Sequence, residues 1–334
     1  MLNTDVMLSA KTIFRFETPS NAEALSSLCR RLLLQQQETW QQLSEDYSSF
    51  ASVQTRDIDC GTFHVQAQFN PHRIASTGAD VTSHALRHRT CFLCVEHLPE
   101  PQKGILFQDT FLILCNPVPI FRQHFTVSSI AHVPQSFENN FESFLSLAKE
   151  ISPDFSIFYN GPKCGASAPD HLHFQISPVN SIPVERDAVH CRTIVEQFHD
   201  VAVLTINDYG RLAIVIESAN NDELRTWFFQ LLRAWRAMAN LSDEPNFNII
   251  ASYQNKAWRL IVFPRNKHRP DIFFQEERER IMISPAAVDM GGLLVTPREQ
   301  DFLRVDAPLI KSIYNEVGMP ESFLPKLLSR FHIV

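Results

Sequence analysis

The sequence predicts an α+β fold in which antiparallel sheets carry helices packed on them. Short runs of residues alternate between apolar and polar, as strands with one buried face do. Longer segments repeat apolar residues at helical spacing. The predicted strands follow one another closely, which favours antiparallel pairing. The order of hairpin, helix and strands also recurs in the second half of the chain, which indicates an internal duplication.

The first half begins with a helical region and continues with short strands. Leu25, Leu28 and Leu32 recur at helical spacing, so residues 1–60 are predicted to form an N-terminal helical region. The following predicted elements are a strand that ends at Pro71, strands over 111–115 and 124–130, a helix that begins at Ser136, and a strand over 155–159. This order is typical of an antiparallel sheet with helices on one side.

The second half repeats much of this order. The predicted elements are a strand pair over 201–205 and 211–217, a helix that begins at Asp222, strands over 247–252 and 258–263, a strand over 293–296, and a terminal helical region from Glu299. Trp227, Phe228 and Trp235 lie on one stripe of the long helix, so we interpret them as core residues.

The composition limits the classes of function. The chain has 334 residues, of which 44% are hydrophobic, so it can form two domains or one duplicated unit with a substantial core. A net charge of -7 argues against general nucleic-acid binding. No apolar run reaches the roughly 20 residues of a membrane span, and the N-terminus lacks the pattern of a secretory signal. We therefore expect a cytoplasmic location, no nucleic-acid or membrane partner, and seven cysteines that are free or bound to metal.

The stretch from Asn160 to Gln175, NGPKCGASAPDHLHFQ, is the most informative part of the chain. Its end alternates, so in a strand His171, His173 and Gln175 lie on one face while the residues between them pack against a core. Polar groups on a rigid face need partners. We interpret this face as functional. The alternatives are a structural role and a metal site, because His-x-His pairs also serve as metal ligands.

A glycine-rich loop precedes this strand and is predicted to bind an anion. Gly161 and Gly165 allow close approach of the backbone, and Ser167 adds a hydroxyl group. Lys163 would add a full positive charge.

A second polar loop follows the strand that ends at Pro71. In this loop Arg73 is a candidate phosphate contact. For Ser76 and Thr77 a solvated loop is the favoured interpretation over a phosphate contact.

Cys91 and Cys94 form a CxxC pair, which in a cytosolic chain indicates either half of a zinc site or a redox pair. No thioredoxin-type βαβ pattern surrounds the pair, so zinc is favoured. His132 and His171 are the candidates for the other half of the site, although neither spacing is a zinc-finger signature. The alternative is two buried thiols without a metal.

Taken together, these motifs resemble the histidine-triad superfamily. The segments that carry the resemblance are QFNPHR, CFLC, HFTVSSIAH and GASAPDHLHFQ. More narrowly, the chain is similar to the branch that contains galactose-1-phosphate uridylyltransferase, diadenosine tetraphosphate phosphorylase (ATP adenylyltransferase) and GDP-L-galactose phosphorylase. The resemblance implies two histidine-triad-like halves, with residues 61–185 as the catalytic half and residues 190–334 as a degenerate second half.

The resemblance also implies roles for the motif residues. His173 matches the nucleophile, and Gln175 matches the glutamine that marks transferases and phosphorylases. His171 matches the first histidine of the motif, and His124 matches an inner histidine of some triad proteins. One residue more separates Ser167 from His171 than in uridylyltransferases, which agrees better with the phosphorylases.

The expected site residues form three groups. The catalytic group is His173, Gln175 and His171. The substrate-binding group is Asn160, Gly161, Lys163, Gly165, Ser167, His124 and Arg73. The ligands of a structural zinc ion, by resemblance to uridylyltransferases, are Cys91, Cys94, His132 and His171.

The resemblance implies a nucleotidyltransferase of the phosphorylase type that forms a covalent nucleotidyl-histidine. The expected donor is a nucleoside diphosphate-sugar or a dinucleoside polyphosphate, the acceptor is phosphate or a sugar phosphate, and no organic cofactor is expected. The alternatives are a hexose-1-phosphate uridylyltransferase-like enzyme, a histidine-triad hydrolase and a nucleotide-binding protein without turnover. The sequence leaves the oligomeric state open.

Overall fold

The computed structural model describes residues 4–17 and 23–331. The strands are β1 Thr12–Phe16, β2 Gln54–Asp59, β3 His64–Phe69, β4 Gly104–Phe107, β5 Phe111–Cys115, β6 Phe125–Ser129, β7 Phe155–Asn160, β8 His173–Pro178, β9 Arg192–Phe198, β10 Val201–Ile206, β11 Ile214–Ser218, β12 Phe247–Gln254, β13 Ala257–Pro264 and β14 Leu293–Thr296. The α-helices are α1 Thr4–Lys11, α2 Leu25–Thr39, α3 Gln41–Ser49, α4 Ile74–Thr77, α5 Ser83–His88, α6 Phe141–Glu150, α7 Pro183–His190, α8 Asn221–Ala239, α9 Ala287–Met290, α10 Glu299–Arg304, α11 Ala307–Val317 and α12 Phe323–Phe331.

Two sheets organise these elements. An 11-stranded sheet has the order β1-β4-β5-β6-β8-β7-β12-β13-β11-β10-β9, and a 3-stranded sheet has the order β14-β3-β2. The pairs are antiparallel except for β1–β4 and β14–β3, which are parallel. The predicted α+β fold of antiparallel sheets with packed helices is therefore confirmed, and the two parallel pairs go beyond the prediction.

The large sheet contains the same unit twice. In the first half, β5 and β6 lead through α6 to β7 and β8; in the second half, β10 and β11 lead through α8 to β12 and β13. The spatial order β5-β6-β8-β7 is followed by its mirror image, β12-β13-β11-β10. The halves join where β7 pairs with β12, with Asn160 opposite Asn248. The predicted internal duplication is thus confirmed in the topology of the sheet.

The helices α6 and α8 pack on one face of this sheet. Apolar residues on α6, including Phe141 and Phe144, are buried there. On α8 the side chain of Asn220 accepts hydrogen bonds from the first backbone amides and starts the helix, and Trp227 and Trp235 are buried. These residues share one apolar cluster with both halves of the sheet. The prediction of α8 and of its aromatic stripe as core is confirmed.

The opposite face of the sheet differs between the halves. In the second half it is covered by the 3-stranded sheet, α7, α9 and α11, which form a second apolar cluster. In the first half this face carries polar side chains on β6 and β8, among them Thr126, His173 and Gln175, and bounds a cavity. The first 60 residues contain β1 and β2 besides the predicted helices, and the parallel pairing of β1 with β4 depends on a partner about 90 residues later.

Within the described residues, no helix has both the length and the apolar character needed to cross a bilayer.

Candidate active site

The strand β8 presents the predicted alternation. Leu172, Phe174 and Ile176 lie in the apolar cluster beneath the helices. His173 and Gln175 lie on the other face and line the cavity of the first half. One side of the strand is therefore fixed by hydrophobic packing while the other side is available for chemistry.

His173 is held with one ring nitrogen bonded and the other left for the cavity. Its Nδ1 lies 2.8 Å from the carbonyl oxygen of His171. Because a carbonyl can only accept, Nδ1 carries the proton and Nε2 carries a lone pair. No described residue makes a hydrogen bond to Nε2. Burial lowers the pKa of His173 to about 4, so the ring is neutral at physiological pH.

Gln175 is oriented by His124. The backbone N–H of Ile120 donates to Nδ1 of His124 at 3.2 Å. The other ring nitrogen, Nε2, therefore carries the proton and donates to Oε1 of Gln175 at 2.9 Å. Burial lowers the pKa of His124 to about 3, which keeps this neutral tautomer. With its oxygen occupied, the amide of Gln175 presents its NH₂ group as a donor. His124 thus acts behind Gln175 and does not line the cavity, contrary to its predicted role in substrate binding.

The cavity has a volume of about 400 Å³. One part of its wall is apolar and the other is polar. The apolar part includes Phe92, Leu93, Leu98, Leu114 and Val118, and the polar part includes Arg73, Arg89, Ser167, His173 and Gln175. A smaller polar cavity of about 50 Å³ adjoins it and shares Arg73, Ser76, Ser167 and Gln175 with it. Such a pairing of an apolar chamber with convergent polar groups is typical of a small-molecule site.

Two arginines supply positive charge to this wall. Arg73 follows β3 and donates from Nη1 to the carbonyl oxygen of Val118 at 3.1 Å. Burial lowers its pKa to about 10, so it stays charged at neutral pH. Arg89 forms an ion pair with Asp170 and lies over the ring of Phe92. Lys163, predicted to add charge, is exposed and lines neither cavity.

Two polar groups at the start of the glycine-rich loop form hydrogen bonds within the protein. The N–H of Gly161 donates to the carbonyl oxygen of Phe247 at 3.1 Å, so the expectation that this amide binds an anion is wrong. The side-chain oxygen of Asn160 accepts hydrogen bonds from Asn248 and from the backbone N–H of Ala287. This oxygen therefore joins the two halves, although Asn160 still borders the small cavity.

Gly165 and Ser167 of this loop line the small cavity, and their role in substrate binding stays a prediction. Gly165 has φ +88°, and a Cβ there would lie 2.6 Å from the Cβ of Ala286. Only glycine fits this conformation and this close approach. Ser167 borders both cavities, next to Arg73 and Gln175.

Four residues form a cluster that could hold a metal ion. The ligand atoms of Cys91, Cys94, His132 and His171 all lie within 4.8 Å of one another. Three separations are 3.2 to 3.6 Å: Cys91 Sγ to His171 Nδ1, Cys94 Sγ to His132 Nδ1, and Cys94 Sγ to His171 Nδ1. Tetrahedral zinc with nitrogen and sulfur ligands requires about 3.3 to 3.8 Å between ligand atoms. The donor set therefore fits a closed Cys₂His₂ site.

His171 belongs to this cluster and not to the cavity wall. Its Nε2 lies 2.8 Å from the carbonyl oxygen of Ser129, so Nε2 carries the proton and Nδ1 is left for a metal ion. The imidazole lines neither cavity, so its predicted catalytic role is corrected to an indirect one. Its carbonyl oxygen receives the Nδ1–H of His173, which links the cluster to the active site.

Sequence reasoning missed Arg89 and Gln135. Arg89 lies two residues before the CxxC pair, and this proximity was the one available signal. Gln135 lies three residues after His132 and binds the backbone of His173. Nothing in the local pattern at Gln135 indicates that contact, because β8 lies nearly 40 residues further along the chain.

Two family models match different parts of this chain. Residues 183–324 match the family model described as GDPGP1-like, C-terminal domain. Residues 32–178 match the model described as domain of unknown function DUF4922. No curated protein matches the sequence.

Two solved structures of yeast Ap4A phosphorylase Apa2 share the fold. The complex with AMP is 15% identical, covers 84% of this chain and 96% of that chain, and has a TM-score of 0.54. The complex with Ap4A is 13% identical, covers 84% of this chain and 97% of that chain, and has a TM-score of 0.52. The predicted resemblance to the diadenosine tetraphosphate phosphorylases is confirmed at the level of the fold.

The fold of these phosphorylases extends over both halves of the chain. The two family models divide between residues 178 and 183, in the connection between β8 and α7. An ADP-glucose phosphorylase from Arabidopsis thaliana with bound ADP-glucose is also similar. It is 13% identical, covers 78% of this chain and 99% of that chain, and has a TM-score of 0.35.

Proposed function

We propose that the protein is a nucleotidyltransferase of the phosphorylase type, with residues 61–185 as its catalytic half and residues 190–334 as the second half. The observation that carries the proposal is His173, a neutral imidazole whose Nδ1–H is bonded and whose Nε2 is left for the cavity. The donor is a nucleoside diphosphate-sugar or a dinucleoside polyphosphate, and the second of these agrees with the name of the Ap4A phosphorylase of similar fold.

The reaction proceeds in two displacement steps. Nε2 of His173 attacks the α-phosphorus of the donor, an Nε2–P bond forms, and the bridging P–O bond breaks. The leaving phosphate takes the electron pair of that bond. An oxygen of inorganic phosphate or of a sugar phosphate then attacks the same phosphorus, and the electron pair of the Nε2–P bond returns to nitrogen. One nucleophile thereby serves both half-reactions.

The neighbouring groups suit this charge distribution. In the intermediate the imidazole of His173 is substituted at Nε2 and protonated at Nδ1, so it carries a positive charge that the carbonyl oxygen of His171 stabilises. The NH₂ group of Gln175, the hydroxyl of Ser167 and the guanidinium of Arg73 are donors toward the phosphoryl oxygens. We assign the apolar part of the cavity to the nucleoside.

We also propose that the cluster of Cys91, Cys94, His132 and His171 holds a structural zinc ion. Four protein ligands leave no open position for substrate, so the metal would fix the loops around β8 without entering the reaction. None of the seven cysteines forms a disulfide, and we propose that the protein works in a reducing cytoplasm.

The test is a donor screen with inorganic phosphate as acceptor. The donors are dinucleoside polyphosphates and GDP-, ADP- and UDP-sugars. Intact-mass spectrometry should show a covalent nucleoside monophosphate adduct with one donor class, and inorganic phosphate should release it as a nucleoside diphosphate. His173→Ala should form no adduct, whereas the exposed His190→Ala should behave as wild type.

Three outcomes would contradict the proposal. Product formation that does not depend on phosphate would indicate a hydrolase. Tight nucleotide binding without adduct or products would indicate a binding protein. Normal turnover by His173→Ala would remove the proposed nucleophile.

A further inference from the structure

Gln135 is a buried glutamine in the loop after β6, with 4% of its surface exposed. Its side chain makes three hydrogen bonds to backbone groups. Oε1 accepts from the N–H of His173 at 2.8 Å, and Nε2 donates to the carbonyl oxygens of His173 at 2.9 Å and of Asn160 at 3.0 Å. It lines neither cavity, so it does not touch substrate in the proposed site.

The register of the sheet explains these contacts. The ladder between β7 and β8 runs from Phe155 opposite Pro178 to Phe158 opposite Gln175. Two residues further along each strand, the same register places Asn160 opposite His173. The ladder ends before that pair, and the carboxamide of Gln135 lies between the two strands. The side chain thus replaces the backbone pairing that would otherwise continue.

A glutamine side chain has the groups that this position requires. It supplies one carbonyl acceptor and two N–H donors, which match one N–H and two carbonyl groups of the separated strands. On its other side His173 is paired with Ser128 of β6. The backbone of His173 is therefore fixed from both directions, and the bond from Nδ1 to the carbonyl oxygen of His171 fixes its ring.

We propose that Gln135 is the positioning residue of the nucleophile, holding the backbone of His173 so that Nε2 meets the phosphorus. The inference rests on the proposed function of His173 and deepens it. Gln135 lines neither cavity, and two of its three side-chain hydrogen bonds are to His173, so we expect it to act on the reaction through His173.

The first measurement is the single-turnover rate of adduct formation at saturating donor. Gln135→Met keeps the length of the side chain and removes all three hydrogen bonds. We expect the rate to fall by about 10- to 100-fold, because a displacement of about 1 Å has an effect of that size. The control is Gln36→Met, since Gln36 is also buried and bonds the backbone of Lys103 and Pro101 but lines neither cavity. We expect it to react at the wild-type rate per folded molecule.

The second measurement separates positioning from general support of the fold. In a His173→Gly background, free imidazole can replace the missing side chain as the nucleophile. Free imidazole does not depend on the backbone position of residue 173. The imidazole-dependent rate of donor cleavage is the quantity to measure, since this background carries no covalent adduct. Gln135→Met should therefore leave that rate within about twofold of the background. A cavity deformed by the substitution would instead lower both rates.

Three results would overturn the inference, and only the first of them would also overturn the proposed function. If wild type forms no adduct, the proposed function and this inference fail together. If wild type forms the adduct and Gln135→Met forms it equally fast, only the inference fails. If the rescued rate falls as much as the direct rate, Gln135 supports the fold and does not position His173. Should Gln135→Met not fold, Gln135→Glu retains the acceptor for the N–H of His173 and removes both donors, and the same comparison applies.

Discussion

The two halves of the large sheet share a topology but differ on one face. On β8 and on β13 alike, alternate residues pack beneath the helices. On the opposite face β8 presents His173 and Gln175, whereas β13 presents Ile261 and Phe263. Equivalent strands therefore line the candidate site in one half and take part in hydrophobic packing in the other. Topology alone does not make a site here; the side chains of a single strand face decide it.

What covers each face follows the same division. Residues after β13, including Ile283, Ile310 and Tyr314, pack over the second half and bury its apolar face. Over the first half the corresponding space is the cavity of about 400 Å³. The C-terminal segment also reaches the first half, because Ser284, Ala286 and others line the small cavity. The second half thus supplies part of the wall of the small cavity.

The largest expected effect comes from changing the polar face of β8. Gln175→Glu keeps the shape of the side chain and its acceptor for His124, but it removes the NH₂ donor and places a negative charge beside the phosphoryl group. We expect the rate of adduct formation to fall by about 10²- to 10³-fold, as when an oxyanion donor is lost. Single-turnover kinetics with the best donor measures this.

The matched change in the second half is Arg259→Gln on β13. Arg259 is bonded to Glu217 and lines neither cavity of the first half. We expect the wild-type rate for this variant. A comparable loss in Arg259→Gln would mean that the second half takes part in the chemistry, and the contrast between the halves would fail.

The next largest effect concerns the four possible metal ligands Cys91, Cys94, His132 and His171. Among the described residues, such groups occur in the first half alone. Cys94→Ser should abolish stoichiometric zinc and lower the free energy of unfolding by about 3 kcal/mol or more, because a structural metal contributes directly to folding. Elemental analysis and urea denaturation measure the two quantities. Cys191→Ser, an exposed thiol outside the cluster, should change neither. Wild-type protein purified without zinc would contradict the proposed ion.

These two halves also show what the sequence could predict. The alternation at residues 172–176 correctly separated core from cavity residues, because one strand is a local pattern, whereas His171 lies in the Cys/His cluster and not in the cavity wall. The resemblance brought together the four cluster residues, whose spacing alone could not. Gln135 and the role of Asn160 escaped prediction, since their partners lie in other strands and depend on register. The amide of Gly161 was expected to bind an anion, but a loop sequence does not show which amides the fold itself uses. The exposed side chain of Lys163 lines neither cavity, which the loop sequence also does not show.

A third effect is the pH dependence of stability. Burial lowers the pKa of His124 to about 3, whereas an unfolded histidine titrates near 6.5. Between these pH values the unfolded chain binds one more proton, so stability falls as the pH decreases through this window. One such group changes the free energy of unfolding by about 1.4 kcal/mol per pH unit, or about 2 kcal/mol between pH 6.5 and 5.

Urea denaturation at pH 7, 6 and 5 tests this contribution in each half. His124→Gln should reduce the slope of stability against pH by about one proton. In the second half, burial lowers the pKa of His268 to about 4, so His268→Gln should reduce the slope with the same sign. An unchanged slope in His124→Gln would contradict the neutral, buried state assigned to this ring.

The smallest expected effect tests whether the apolar face of the second half is only structural. Ile261 is buried on β13 and packs in the apolar cluster beneath the C-terminal segment. Ile261→Val removes one methylene group and should lower the free energy of unfolding by about 1 kcal/mol. Because Ile261 lines neither cavity, the affinity for the nucleotide donor should not change. Denaturation and calorimetric titration of the same preparation would separate these quantities.

Weaker nucleotide binding with little loss of stability would show that packing in the second half sets the shape of the first-half site, because the C-terminal segment over Ile261 is the same one that lines the small cavity.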